Sequence, residues 1–296
     1  MLPGAAMKRV RVVTDSIADI PANLRSELDI SVVPCQVTIG KESYRDGVDL
    51  SPQAFLEKMA KSQELPRTSQ PILGDLVETY RHLLERGEVE SVISIHVAGN
   101  LSGTVNAAWA AVQMLPDPSK VEVIDSGQLS MGMGWAVIKA AEMAQAGSTH
   151  AEVSRAVRDL LPRMRVAAML DTLENLYKGG RINQISAALG TVLQIKPLLS
   201  VQSGRISVFD KVRTRSRALS KLVAHVLNWG PLAELAILHT GAEELALTLS
   251  GRLQDLSAPH HRGIPFPAGR IIICPAGSAL ATHVGAGAVG ACALLQ

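Results

Sequence analysis

The sequence predicts an α/β protein of two domains, an N-terminal parallel, doubly wound sheet with helices on both faces and a C-terminal α+β domain with a mixed or antiparallel sheet. Three observations lead there. Short β-branched runs alternate with amphipathic helical patterns as far as about Leu161, the grammar of repeated βαβ units. After Pro162 this gives way to two adjacent strand patterns flanking Gln202-Ser203-Gly204, a short turn of the kind that closes a hairpin. The chain also has 296 residues with 47% hydrophobic content, long for a single core, which divides it into 1–162 and 163–296.

Arg9 to Val13 reads as the first strand, ended by Thr14-Asp15-Ser16, and Pro21 opens a short helix carrying Leu24 and Leu28. Ile30 to Ile39 reads as a second strand, with Pro34 placing it near an edge or bulge, and Ser51-Pro52 is an N-cap and first-turn pair for a helix with Phe55, Leu56 and Met59. A polar loop, Lys61 to Gln70, leads into Pro71 and a helix whose Leu73, Leu76, Val77, Tyr80, Leu83 and Leu84 share one face. Val92, Ile93, Ile95 and Val97 form a strand buried on both faces. Gly99 then turns the chain, and Val105, Ala108, Trp109, Val112 and Leu115 fall on one face of the next helix. Val121 to Ile124 is a further strand, ended by Asp125-Ser126 and followed by a helix around Trp135 and Ile138 that closes at Gly147. Thr149-x-x-Glu152 is a capping box that starts another helix.

In the second half, Val166 to Leu170 reads as a strand, Gly179-Gly180 breaks the chain, and Ile182 to Ile195 carries a helical apolar pattern. Leu198 to Val201 and Arg205 to Phe209 form the hairpin, and a helix from Ser216 to Trp229 follows. Leu235 to Leu238 and Arg270 to Cys274 are strands around a helix near Glu243 to Leu256. The run Ser257 to Gly269, with three prolines, is a loop, and the chain closes with Thr282-His-Val-Gly-Ala-Gly287 and an apolar tail.

Net charge is +2 and aromatic residues are 3%, so neither a phosphate-seeking field nor a set of base-stacking platforms is present, and nucleic acid is excluded as a partner. Cys35, Cys274 and Cys292 lie far apart in apolar runs, as small buried side chains rather than metal ligands or disulfides, which fits a reducing compartment. The histidines show no metal-ligand spacing, so no metal is expected. The opening residues hold no long apolar stretch and no window reaches the length of a membrane span, so the expectation is a cytoplasmic protein without a transmembrane segment.

In an open parallel sheet ligands collect beyond the carboxyl ends of the strands, where Asp15-Ser16, Ser102 and Asp125-Ser126 all fall. Ser102, Gly103 and Thr104 stand at a helix start, whose free amides and partial positive charge suit an anion. Asp15 and Asp125 are better read as caps or turn formers than as catalytic carboxylates. Thr68-Ser69-Gln70-Pro71 is open to two readings, a cap on the helix that follows or a ligand contact. The order Gly99-Asn-Leu-Ser102-Gly puts the serine one place late for a nucleophile elbow, and the loop lacks the lysine of a phosphate-binding P-loop.

Taken together, Val13-Thr-Asp-Ser-Ile-Ala-Asp-Ile-Pro21, Tyr44-Arg-Asp-Gly47, Thr68-Ser-Gln-Pro71, Ser94-Ile-His96 with Leu101-Ser-Gly-Thr104, Asp125-Ser126, Lys178-Gly-Gly-Arg-Ile182, Ile195-Lys-Pro-Leu198, Lys211-Val-Arg-Thr214 and Thr282-His-Val-Gly-Ala-Gly287 resemble the DegV family of bacterial fatty-acid-binding proteins over nearly the whole chain. The chain departs from the family at Ile17, where relatives usually carry threonine, and at Ala98-Gly-Asn100, where many have Ser-Ser-Gly. The resemblance implies a long-chain fatty acid such as palmitate held between the two domains. Its carboxylate would sit on Thr68 and Ser102, with Ser69, Gly103, Arg181 and His283 as further candidates. It implies no cofactor and no catalysis by this chain, a monomer, and a separate ATP-dependent kinase that phosphorylates the carboxylate for phospholipid synthesis. Burying about 14 methylenes at about 0.8 kcal/mol each would give roughly 11 kcal/mol gross, so apolar contact would supply most of the affinity. Arg205, Lys211, Arg213, Arg215, Arg217 and Lys221 concentrate charge at the end of the hairpin and the start of the next helix, where cations gain nothing from the helix dipole. The resemblance places the Val-Arg-Thr region on the kinase-docking surface, so Arg213, helped by Arg217, is expected to meet an acidic patch there. The alternative is an acyl hydrolase using Ser102 and His283.

Overall fold

The computed structural model describes residues 9–181, 195–257 and 271–296. The first sheet is parallel, in the order β2-β1-β6-β7, built from β1 (Arg9–Asp15), β2 (Ser31–Val33), β6 (Val89–His96) and β7 (Val121–Asp125). Between β2 and β6 the chain makes a small antiparallel sheet from β3 (Gln36–Ile39), β4 (Glu42–Arg45) and β5 (Arg67–Ser69), in the order β4-β3-β5. The third sheet is mixed, in the order β10-β9-β8-β13-β11-β12, from β8 (Met164–Met169), β9 (Lys196–Gln202), β10 (Arg205–Val212), β11 (Leu232–His239), β12 (Ile272–Pro275) and β13 (Val289–Leu295). Only β11 and β12 pair in parallel there.

The helices are α1 (Ala22–Glu27), α2 (Pro52–Lys61), α3 (Leu73–Glu85), α4 (Thr104–Gln113), α5 (Ser130–Gln145), α6 (His150–Leu160), α7 (Glu174–Lys178), α8 (Arg215–Leu227), α9 (Glu243–Ser257) and α10 (Ser278–Val284). Alternate residues of β1 and β6 point to opposite faces, so Val13 and Val92 pack with α3 and α4 while Val12, Ile93 and Ile95 pack with α5. The parallel sheet is therefore doubly wound, as its sequence predicts. α5 is apolar nearly all round because it lies between the two larger sheets, and its Trp135 Nε1 donates to the Cys292 carbonyl of β13 at 3.1 Å. The outer face of the mixed sheet is covered by α8 and α9. Thr149 and Glu152 form the expected capping box of α6. Ser203 and Gly204, at φ 48 and 73, make the turn between β9 and β10.

Several expectations change. Ile30 to Ile39 is two strands, because at Pro34-Cys35 the chain leaves the parallel sheet for the small one. Thr68 and Ser69 cap no helix. They belong to β5, paired with β3, and α3 begins at Leu73 with no side-chain cap. Trp109 is 51% exposed rather than part of the buried face of α4. The apolar tail is β13, which lies between β8 and β11 inside the mixed sheet. Cys35 and Cys292 are buried and Cys274 half-buried, and all three are free thiols. Ile182 to Gln194 and most of the Ser257 to Gly269 run lie outside the described residues.

Candidate functional site

β2 and β7 flank β1 and β6 on opposite sides, so the chain after β1 and the chain after β6 leave the sheet in opposite directions and open a crevice at their carboxyl ends. Asp15 ties the two sides together. One carboxylate oxygen accepts from Ile17 N at 3.0 Å, and the other accepts from Val97 N and His96 Nδ1, both at 3.0 Å. His96 Nε2 lies 2.8 Å from Ser94 Oγ, which lies 2.8 Å from the Tyr80 hydroxyl. All four side chains are sealed in the core, and burial pushes the Tyr80 hydroxyl well above its ordinary range. An acid, a base and a hydroxyl thus meet where no substrate can enter, and they act as a polar brace, in keeping with the capping role expected of Asp15. Asp125 accepts from Gly99 N at 3.1 Å and Gly127 N at 2.9 Å, and Asn100 Nδ2 donates to the Gly204 carbonyl at 2.6 Å. These bonds fix the loop that presents Ser102.

Beneath that loop lies a cavity of about 510 Å³. Its floor is the inner face of the mixed sheet, with Val166 and Ala168 from β8 and Leu170 just after it, Leu199 and Val201 from β9, and Gly290 and Cys292 from β13. Their spacing of two is the period of a strand with one face toward the cavity. The walls come from Val97, Leu101 and Leu129 of the first half and Leu238, Ala279 and Leu280 of the second.

Polar groups gather at one end. Cross-strand pairing places Thr68 beside Val37, and the Thr68 hydroxyl lies 2.8 Å from His283 Nε2, carried on α10. Ser102 Oγ lies 2.8 Å from Thr104 Oγ1 and accepts from Thr104 N at 3.3 Å. Arg181 donates to the carbonyls of Gly179 at 2.8 Å and Leu101 at 3.4 Å, spanning from the end of α7 to the Ser102 loop. Burial, and secondarily the Arg181 charge, pull the His283 imidazolium down to about 4, so His283 is neutral at pH 7. A second cavity of about 520 Å³, also lined by Arg67 and Lys178, shares Thr68, Arg181 and His283 with the first.

Thr68, Ser69, Ser102, Gly103, Arg181 and His283 therefore all line one cavity, although they come from four separate segments. Ser102 and His283 direct their hydrogen bonds to Thr104 and Thr68, not to each other, so the hydroxyl has no imidazole base. Gln70 was overlooked as a lining residue, although it stands in the Thr-Ser-Gln-Pro run. Its side-chain oxygen fills the space where a Cβ on Gly103 would project. Arg213 and Arg217 are exposed and outside the cavity, whereas Arg215 pairs with Asp171 and Lys221 with Asp210 at 3.0 Å. Among the described residues no cluster of three potential metal ligands occurs, and no helix is long and apolar enough to cross a membrane.

The fold and the cavity define a three-sheet protein built around a largely apolar chamber with polar groups gathered at one end. The family model described as "Uncharacterised protein, DegV family" matches residues 9–296, and the chain belongs to the DegV family. Protein DegV of Bacillus subtilis is 33% identical over 287 residues, covering 96% of this chain and 98% of that protein. A DegV domain-containing protein of Caldanaerobacter subterraneus is likewise 33% identical, covering 96% of this chain and 98% of its own length. The structure of a DegV family protein from Thermus thermophilus, described by its fatty acid binding, superposes with a TM-score of 0.86 at 31% identity, covering 97% of this chain and all of that one. DegV of Bacillus subtilis, described as a fatty acid binding protein, superposes with a TM-score of 0.82 at 32% identity over 98% of this chain and all of that one.

Proposed function

We propose that this protein binds a long-chain fatty acid such as palmitate, with the acyl chain in the cavity between residues 1–162 and 163–296 and the carboxylate at Thr68 and Ser102. The observation that carries this is the chamber itself, whose lining is mostly aliphatic and whose hydroxyl, imidazole and guanidinium groups converge where Thr68, Ser102, Arg181 and His283 meet. The fatty acid binding described for the Thermus and Bacillus proteins supports it.

The donor inventory suits a carboxylate. When neutral His283 donates its Nε2 proton to Thr68 Oγ1, the single Thr68 proton is left to point at the ligand. When Thr104 donates to Ser102 Oγ, the Ser102 proton is released in the same way. Ser69 and Gly103 border the same end, and Arg181, committed to two backbone carbonyls, adds positive potential without clamping both carboxylate oxygens. A carboxylate held in this way keeps an oxygen available for phosphorylation. We extend the reading to a cytoplasmic, monomeric carrier, not itself an enzyme, that presents the carboxylate to an ATP-dependent kinase for phospholipid synthesis. Exposed Arg213 and Arg217 would meet that kinase.

The test is solvent extraction of the purified protein followed by mass spectrometry, with palmitate titrations of Thr68→Val and Ser102→Ala. The expected result is stoichiometric fatty acid and, for each variant, a rise in Kd of about tenfold or more, because a hydrogen bond to a charged group is worth roughly 1.5–3 kcal/mol. Unchanged affinity in both variants removes these residues from the site. Turnover of an acyl ester that Ser102→Ala abolishes replaces the carrier with a hydrolase.

A further inference from the structure

We infer that the cavity has a fixed inner stop, made by Val166 and Cys292 beneath the first turn of α5, and that this stop selects the acyl chain by length. The inference rests on the fatty-acid reading above and concerns the end of the chamber away from the polar groups.

Strand register resolves the floor into rows. Leu199, Ala168, Gly290 and Leu238 are successive cross-strand partners, and all four line the cavity. One step further from the polar end, Val201, Val166 and Cys292 form the next row and also line it. Beyond that, Met164 pairs with Leu294, and neither borders the cavity although both face the same core.

The chamber ends at the Val166 row because α5 descends onto it. A Cβ on Gly132 would collide with the Val166 methyl Cγ2, so helix and strand already touch through a residue that has no side chain. The Cys292 thiol lies against the Gly132 backbone and Ser130, and Trp135 fastens the following turn to the Cys292 carbonyl. A wall made of helix backbone packed directly on the branched Val166 side chain and the Cys292 thiol leaves no room for one more methylene. Ala168 and Gly290, in the preceding row, are small and leave the approach to it open.

Leu170 marks the polar end of the floor, next to Leu176 and Arg181 on the chain that follows β8. Four residues of extended chain at about 3.4 Å each put Val166 about 14 Å from it. Carbon–carbon bonds of about 1.5 Å advance an extended chain by about 1.3 Å apiece, so about eleven carbons span the floor, with the head-group segment in addition.

The direct test is photocrosslinking of the unmodified protein with palmitate carrying a diazirine at its terminal carbon, followed by peptide mapping. Adducts at Val166, Cys292 or residues 130–132 support the stop. Adducts concentrated elsewhere, at Leu238 or Leu280 for example, overturn it. A second measurement is the affinity for saturated fatty acids of 12 to 20 carbons in the unmodified protein, Val166→Ala and Gly132→Ala. Each methylene that gains or loses its place is worth about fourfold in Kd. Val166→Ala is expected to move the optimum to longer chains and Gly132→Ala to shorter ones. Identical length profiles in properly folded variants overturn the stop while leaving fatty-acid binding intact, whereas a protein that retains no fatty acid of any length overturns both.

Discussion

Asp19 is expected to weaken this protein at neutral pH, and Asp19→Asn to strengthen it. The residue is half-buried and left-handed at φ 53, and its carboxylate accepts from Ser130 Oγ at 2.7 Å and Gly277 N at 2.8 Å. It shares the surroundings of Gly277 with the buried Asp46, which accepts from Ser278 N at 2.9 Å. Burial, opposed by the two hydrogen bonds and assisted by Asp46 and Asp15, pushes the Asp19 carboxyl from 3.8 up to about 7. A raised carboxyl means that the folded state binds more protons than the unfolded chain between those values. Stability is therefore highest below pH 4 as far as this group is concerned, and is lost as pH rises toward 7. The interval sets a ceiling on the order of 4 kcal/mol, which residual solvent contact reduces. Asparagine retains the geometry, since its oxygen can accept from Gly277 N and its amide can donate to Ser130 Oγ, and it tolerates left-handed backbone. Chemical or thermal unfolding of both proteins from pH 4 to 8 checks this. A gain of about 1–3 kcal/mol is expected at pH 8, a few degrees in Tm, shrinking steadily toward pH 4. A difference that does not vary with pH, or a variant less stable throughout, refutes the reasoning.

His283 works in the opposite direction. Its imidazole is held down at about 4 against an ordinary 6.5, so the unfolded chain binds more protons between those values and stability falls on acidification through that window, by at most about 3 kcal/mol. Asp19→Asn removes the opposing contribution, so unfolding of that variant below pH 6.5 should expose the His283 loss, and His283→Gln should abolish it. Reversing Arg213 and Arg217 together to glutamate should leave palmitate affinity and Tm unchanged while slowing acyl-phosphate formation by a cognate kinase in a salt-dependent way. Equal rates in the reconstituted assay would show the two cations to be ordinary wet surface.

The parallel half was legible because each of its elements carries its own signal. β-branched runs ending in Asp-Ser, the Thr149 capping box and the glycine stop after α5 all agree with the fold. Where local and long-range preferences conflict, the sequence misleads. Hydroxyls before Pro71 look like a helix cap, yet Thr68 and Ser69 gain more from completing the hydrogen bonds of β3, which would otherwise be an edge strand beside β4. Ile30 to Ile39 is β-branched on both sides of Pro34, so nothing local reveals that the chain changes sheets there. β13 lacks polar alternation because both of its faces are covered, and an apolar strand of that kind looks the same as any apolar tail. For the site, the sequence supplied the residue types. The contact between Thr68 and His283, separated by 215 positions, exists because α10 packs through Ala279 and Ala281 in one cluster with Val37 of the small sheet and Phe55 of α2.

That packing explains why the chamber is composite. The switch point of the parallel sheet offers a braced loop and the Ser102 hydroxyl but has no apolar floor of its own. The mixed sheet offers a floor but lacks, on that face, the hydroxyls that gather at the polar end. The small sheet and α10 connect the two by bringing Thr68 from one half against His283 from the other, and Arg181 adds a second link by reaching the Leu101 carbonyl. On the fatty-acid reading neither half holds the ligand alone, because its polar and apolar ends are satisfied by different halves of the chain. That reading couples ligand affinity to the docking of the halves, since a ligand that contacts both stabilises their packed arrangement by RT ln(1 + L/Kd) at free ligand concentration L. On the same reading the carboxylates whose hydrogen bonds cross from one half to the other, Asp19 to Gly277 N and Asp46 to Ser278 N, contribute to the binding energetics although they bond only protein groups.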